Sequence, residues 1–127
     1  MKKILTTLVL LLTLINGALS VKAMNYDEAI KQSKPIVLLI YSDWADDLDK
    51  VNKSFVDAQN SYSNTYNFVR LNIASQEAKN FNKKYYFYPN LPYILLLKDS
   101  GRISRYLTKE NIINTSSFNE KLKFFIN

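Results

Sequence analysis

Residues 34–50 read KPIVLLIYSDWADDLDK, and the fold turns on how that stretch divides. Ile36 to Tyr41 is a continuous apolar run rich in branched side chains, the pattern of a strand covered on both faces. The run stops at Ser42-Asp43-Trp44, and a helical spacing begins almost at once, with Leu48, Val51, Phe55 and Ala58 recurring three or four residues apart. Lys34-Pro35 closes whatever precedes the strand, because proline lacks an amide donor and restricts its neighbour. Asp43 is expected to cap the helix, with Asp46 and Asp47 in its first turn, near the positive end of the dipole. A buried strand running straight into an amphipathic helix opens an α/β arrangement.

Working outward, Asn25 to Gln32 reads as a short helix with Asp27 and Glu28 near its start. Beyond the central helix, residues 60–67 (NSYSNTYN) form a polar connection, and Phe68 to Ile73 alternates as a strand does. Ser75 caps a helix through Glu77, Ala78, Phe81 and Tyr85, without completing a capping box. The segment Tyr86-Phe87-Tyr88-Pro89-Asn90-Leu91-Pro92 cannot be regular helix. Tyr93 to Leu97 is a strand, Asp99-Ser100-Gly101 a hairpin turn, and Arg102 to Leu107 the returning strand. Ser117-Phe-Asn-Glu120 is a capping box ahead of a last helix, with Leu122, Phe125 and Ile126 on its apolar face. The order helix, strand, helix, strand, helix, strand, strand, helix implies two βαβ-type crossovers and a hairpin. That is an α/β fold with a mixed central β-sheet and helices on both faces.

Residues 1–23 stand apart. Lys2 and Lys3 precede an apolar run from Ile4 to Ile15, and Val21-Lys22-Ala23 presents small residues for cleavage. This is the pattern of a secretory signal peptide, with Ala18-Leu19-Ser20 as a second plausible cleavage site. An uncleaved anchor is the competing reading, but the run falls short of the ~20 apolar residues of a spanning helix. Removal of residues 1–23 from 127 leaves 104, residues 24–127, which is one domain large enough for its own core. A secreted or periplasmic location follows, with no membrane span after cleavage.

Lys2, Lys3 and Lys22 leave with the signal, which lowers the formal charge from +6 to +3. The remaining lysines are scattered, with Lys83-Lys84 the only adjacent basic pair, so no nucleic-acid partner is expected. The chain contains neither cysteine nor histidine. No disulfide staples it, and no Ser-His or Cys-His pair, histidine zinc site or cysteine-held cluster can be assembled within it. No metal and no cofactor are expected.

The ordered set of motifs resembles the thioredoxin fold family over nearly all of residues 24–127. Lys34-Pro35 through Trp44 is similar to the strand and corner that lead to the redox motif, most of all in domains such as the soluble periplasmic domain of the thiol:disulfide interchange reductase DsbD. Phe55-Val-Asp57, Arg70-Leu-Asn-Ile73, and Leu91-Pro92 through Leu97 with Gly101 resemble the first long helix, the next core strand, and the proline-led strand and hairpin. The resemblance places the family's Cys-x-x-Cys on Ala45, Asp46, Asp47 and Leu48, and its buried acid on Leu39. Disulfide exchange proceeds through a thiolate, which none of these residues supplies. Arg70 falls where the family often carries a basic residue, and with Leu39 apolar it needs another partner.

The resemblance also implies a cis proline at Pro92, with the backbone before it free to pair with an extended polypeptide. Two readings of the corner stand side by side. In one, Trp44, Leu91, Pro92 and Tyr93 form a shallow apolar groove for a polypeptide or envelope protein partner. In the other, Trp44 packs the corner and Pro92 merely shapes the chain. Asp43, Asp46, Asp47 and Asp49 lack the glycine turn and terminal glutamate of a calcium loop, so capping is preferred. Of Tyr85 to Tyr88, about two rings are expected in the core and two outside. Asn52-Lys-Ser54 and Asn114-Thr-Ser116 match the glycosylation acceptor pattern, relevant only where the host glycosylates. The expected function is an exported, non-catalytic binding module. The alternative is an accessory of an envelope thiol:disulfide exchange pathway that docks to a redox partner without turnover. An enzyme using Asp or Tyr is disfavoured by the lack of a base–nucleophile pair.

Overall fold

The computed structural model describes residues 24–85 and 87–127; the expected signal peptide, its cleavage sites and Tyr86 lie outside the described residues. Helix α1 is the single turn Tyr26–Ala29, where the Asn25 side chain accepts a hydrogen bond from the Asp27 amide at 2.8 Å. Strand β1 is Ile36–Tyr41 and helix α2 is Leu48–Tyr62. Strand β2 is Asn67–Asn72, followed by helix α3, Gln76–Asn82. Ser75 caps α3 as expected, its hydroxyl accepting from the Ala78 amide at 3.1 Å. Strands β3, Tyr93–Lys98, and β4, Ile103–Leu107, form a hairpin, and helices α4, Lys109–Ile113, and α5, Thr115–Phe125, complete the chain.

The sheet has the order β2-β1-β3-β4. β1 pairs in parallel with β2 and antiparallel with β3, and β3 pairs antiparallel with β4. The first crossover is therefore a true βαβ unit. The second, through α3, delivers β3 to the far side of β1 in the opposite sense, where parallel strands were expected. β1 is central, which explains its unbroken apolar run. Val37 and Leu39 face α2, α4 and α5 in one core layer with Phe55, Ile94, Leu96 and Leu122. Ile36, Leu38 and Ile40 face α1 and α3 in the other layer, with Val69, Phe81 and Leu97. The mixed sheet with helices on both faces is as expected.

Several local expectations are corrected. Asp43 does not cap α2, and Asp46 and Asp47 are not in its first turn. The helix starts at Leu48 from Asp47, which has φ 58 and makes no side-chain cap, and Asp49 occupies the first turn. Helix α2 also runs to Tyr62, through what was read as polar connection, because Tyr62 packs against the core. Two helices, not one, follow β4. Thr108 caps α4 through the Asn111 amide at 3.3 Å. The last helix starts before the expected capping box: Asn114 is the cap, accepting from the Ser117 amide at 3.0 Å, so Ser117 lies inside the helix. Ile126 is exposed, and Phe118 joins Leu122 and Phe125 on the buried face.

The end of α5 is held by Tyr66, just ahead of β2, and by Lys98 of β3. Carbonyls of a last helical turn have no partner within the helix. The buried Tyr66 hydroxyl donates to the Leu122 carbonyl at 2.6 Å, and Lys98 donates to the Phe125 carbonyl at 2.6 Å. Arg70 resolves its own environment by donating to Asn52 and lying over the Phe55 ring, 4.7 Å from its centroid. Burial lowers the pKa of its guanidinium. Among the described residues no helix is long and apolar enough to cross a membrane.

Candidate functional site

The corner between β1 and α2 spans Ser42 to Asp47. Tyr41 is still in register with Asn72 of β2, and beyond it the chain turns sharply, the Ala45 amide donating to the Ser42 carbonyl at 3.1 Å. Ser42 is fully buried and its hydroxyl has no hydrogen-bond partner among the described residues. Asp43 points back across the sheet end and accepts from the Asn72 side chain at 3.0 Å, which ties the corner to β2. Asp47 then takes the left-handed conformation and its carbonyl accepts the first helical bond, from the Val51 amide at 3.0 Å.

This backbone path throws Trp44 outward. Its side chain is 74% exposed, so the reading in which it packs the corner is not what the structure displays. Trp44 borders a shallow hollow of about 430 Å³ with Asp43, Ala45, Asp47, Leu48, Asp49 and Lys50. Asp46 of the same loop borders a second cleft of about 370 Å³, lined also by Pro89, Asn90, Leu91, Tyr106, Thr108, Lys109 and Glu110. The Leu91–Pro92 peptide is cis. The two hollows share no lining residue: Trp44 borders one and Leu91 the other.

Pro92 and Tyr93 are buried. Tyr93 is paired with Ile40 in the sheet, and its hydroxyl accepts from the Tyr88 amide at 3.1 Å. Its side chain is a floor beneath the site and not a contact surface. Burial pushes the Tyr93 phenol up to about 12. Burial, followed by the neighbouring Glu110 carboxylate, also raises the Tyr106 phenol. Of the aromatic run, Tyr85 and Phe87 are half-buried and Tyr88 is exposed, while Tyr86 lies outside the described residues.

The cleft is more polar than the sequence suggested. Thr108, Lys109 and Glu110 enter it because α4 begins there, and a one-turn helix leaves little periodicity to read. Its one legible signal is Thr108 itself, a good cap three residues before an asparagine amide. Among the described residues no group of three His, Cys, Asp or Glu side chains converges to hold a metal. What the arrangement offers chemically is an exposed indole, a charged cleft and an accessible loop backbone.

No protein-family model matches the sequence, and no curated protein is significantly similar to it. Solved structures do match. Mitochondrial thioredoxin 3 from Saccharomyces cerevisiae in its oxidized form superposes with a TM-score of 0.64 at 17% identity, covering 84% of this chain and 97% of that one. The germline-specific thioredoxin Deadhead from Drosophila melanogaster gives 0.63 at 14% identity, covering 80% and 99%. Thioredoxin O2 from Arabidopsis thaliana in its oxidized state gives 0.59 at 15%, covering 76% and 85%. The chain has a thioredoxin-like fold.

Proposed function

We propose that this chain is an exported thioredoxin-like protein that binds a polypeptide partner at the β1–α2 corner without thiol chemistry. The observation that carries the reading is Trp44, 74% exposed on a loop braced by Asp43 and Asp47. Tryptophan is enriched where proteins meet one another, and an indole left in water beside a cleft favours a partner that covers it. Leu91 supplies the second contact, since the backbone preceding Pro92 can pair with an extended segment without any side-chain chemistry.

The departure from the redox-active members supports the same reading. On the resemblance to the thioredoxin-like domain of DsbD, Ala45 and Leu48 replace the two cysteines, and the buried acid is Leu39, packed in the core. Fold alone does not transmit function, and a chain without cysteine supplies no thiolate for exchange. Export rests on Lys2, Lys3 and the apolar run that follows them.

The test is affinity purification from the envelope or secreted fraction with the wild-type protein, Trp44→Ala and Leu91→Asp. A partner that is retained by the wild type and lost by both variants, at unchanged melting temperature, is the expected result. Identical recovery with all three proteins would overturn the corner as a binding site. Recovery confined to oxidoreductases identifies the redox-pathway accessory, and acceleration of insulin reduction by the purified wild type contradicts the non-catalytic reading.

A further inference from the structure

We infer that β4 is a second docking edge, which takes an extended polypeptide segment alternating apolar and acidic residues. The sheet order leaves β4 at one margin and β2 at the other. The β2 margin is partly covered, because Met24 bridges Val69 and its amide donates to the Phe68 carbonyl at 2.9 Å. Among the described residues nothing pairs with the outer side of β4, where Ile103, Ser104 and Arg105 are exposed. An open strand edge presents donors and acceptors at the repeat of an added strand.

The two faces of β4 differ in chemistry, and the difference specifies the partner. On one face the small side chain of Ser104 opens onto a groove of about 330 Å³ over Leu95 and Leu97, walled by Lys84, Tyr85 and Tyr88. On the other face the Arg105 guanidinium lies 5.6 Å from the centroid of the exposed Phe124 ring. Among the described residues six large hydrophobic side chains are exposed, and three of them, Tyr88, Ile103 and Phe124, border this one edge. A strand added about 4.8 Å beyond β4 would place one set of alternate side chains beside Ser104, leaning into the groove. The other set would lie beside Arg105.

Charge selects among possible occupants. Lys84 and Arg105 flank the edge, and Asp99 at the hairpin tip is already paired with Arg102 at 2.8 Å. Glu110 faces the corner cleft. A second copy of this chain would bring the arginines of two β4 strands together, and like charges across strands are destabilising. Acidic residues opposite Arg105 with apolar residues toward the groove satisfy both faces.

The probe is an eight-residue peptide of alternating leucine and glutamate, compared with its leucine–lysine counterpart by fluorescence anisotropy and amide exchange. The acidic peptide is expected to bind and to slow exchange within residues 103–107. The basic one should bind at least about tenfold more weakly, and Arg105→Glu should weaken the acidic peptide by about tenfold, as charge pairs across strands allow. Methylating alternate peptide amides in the two possible phases distinguishes strand pairing from simple charge attraction: one phase should abolish binding and the other leave it intact. Equal binding by both methylated peptides overturns the proposal. So does binding lost in Leu91→Asp but retained in Arg105→Glu, absence of binding to the acidic peptide, or a homodimer that Arg105→Glu dissociates.

Discussion

Lys109 Nζ lies 3.2 Å from Asp47 Oδ2, so the first residue of α4 is tied to the residue from which α2 departs. Lys50 approaches the other oxygen of the same carboxylate at 3.9 Å. The pair joins loop 45–47 to the segment after β4, and its Lys109 lines the corner cleft. Both side chains are partly exposed, so the contact shapes the loop more than it stabilises the fold. Lys109→Ala is expected to lower stability by about 0.5 kcal/mol, and the difference should vanish at about 1 M salt, where the screening length is roughly 3 Å. Thermal melts at low and high salt check this.

The hairpin tip carries three consecutive residues with positive φ: Asp99 and Ser100 at 58, and Gly101 at 83. A Cβ on Gly101 would also sit 3.2 Å from the Tyr85 hydroxyl and 3.3 Å from Ile30 Cδ1. Gly101→Ala should therefore destabilise by about 1–2 kcal/mol, the usual penalty of the left-handed region. Ser100→Gly removes such a penalty and should stabilise, with a smaller change after the added backbone entropy of glycine. Urea midpoints moving in opposite directions for the two variants are the expected result.

Ser42 is fully buried, and its hydroxyl has no hydrogen-bond partner among the described residues. A buried hydroxyl without a hydrogen bond costs about 1–3 kcal/mol in desolvation. Ser42→Ala keeps the side chain small and removes that group, so it should raise the denaturation midpoint by about 1 kcal/mol of stability. A lowered midpoint would show that the hydroxyl is satisfied in solution.

Alkaline pH should unfold the protein through its buried phenols. Burial raises the phenols of Tyr26 and Tyr66 strongly, and that of Tyr93 to about 12. An unfolded tyrosine titrates near 10. Between pH 10 and about 12 the unfolded chain releases protons that the folded chain retains, so stability is complete below pH 10 and falls as pH rises. Tyr66→Phe should cost about 1 kcal/mol at neutral pH, from the lost bond to Leu122. It should also flatten the loss above pH 10. Urea titrations at several pH values measure both effects.

The residues explain which parts of this fold the sequence discloses. The run Ile36–Tyr41 is legible because a central strand is buried on both faces, and Ser75 is legible because its hydroxyl meets a helix amide with no competitor. At 114–117 two good caps compete, and Phe118 onward supports either start, so the earlier Asn114 prevailed unseen. The aspartates at 43, 46 and 47 read as a helix start, but the chain first turns through a left-handed residue, which composition does not reveal. At the candidate site, Trp44 sits in the bend closed by the Ala45 amide and the Ser42 carbonyl, three residues before that left-handed position. The cleft residues Thr108, Lys109 and Glu110 come from a helix too short for periodicity to mark.

Trp44 is the chain's single tryptophan and stands mostly in water. Ultraviolet emission from this molecule therefore reports on the corner and hardly at all on the interior. Urea should shift the emission maximum only slightly, because the indole is already hydrated in the native state. Circular dichroism, in contrast, should register the whole transition. Anything that settles over the corner should move the emission to the blue and shield it from acrylamide, a readout that needs no label.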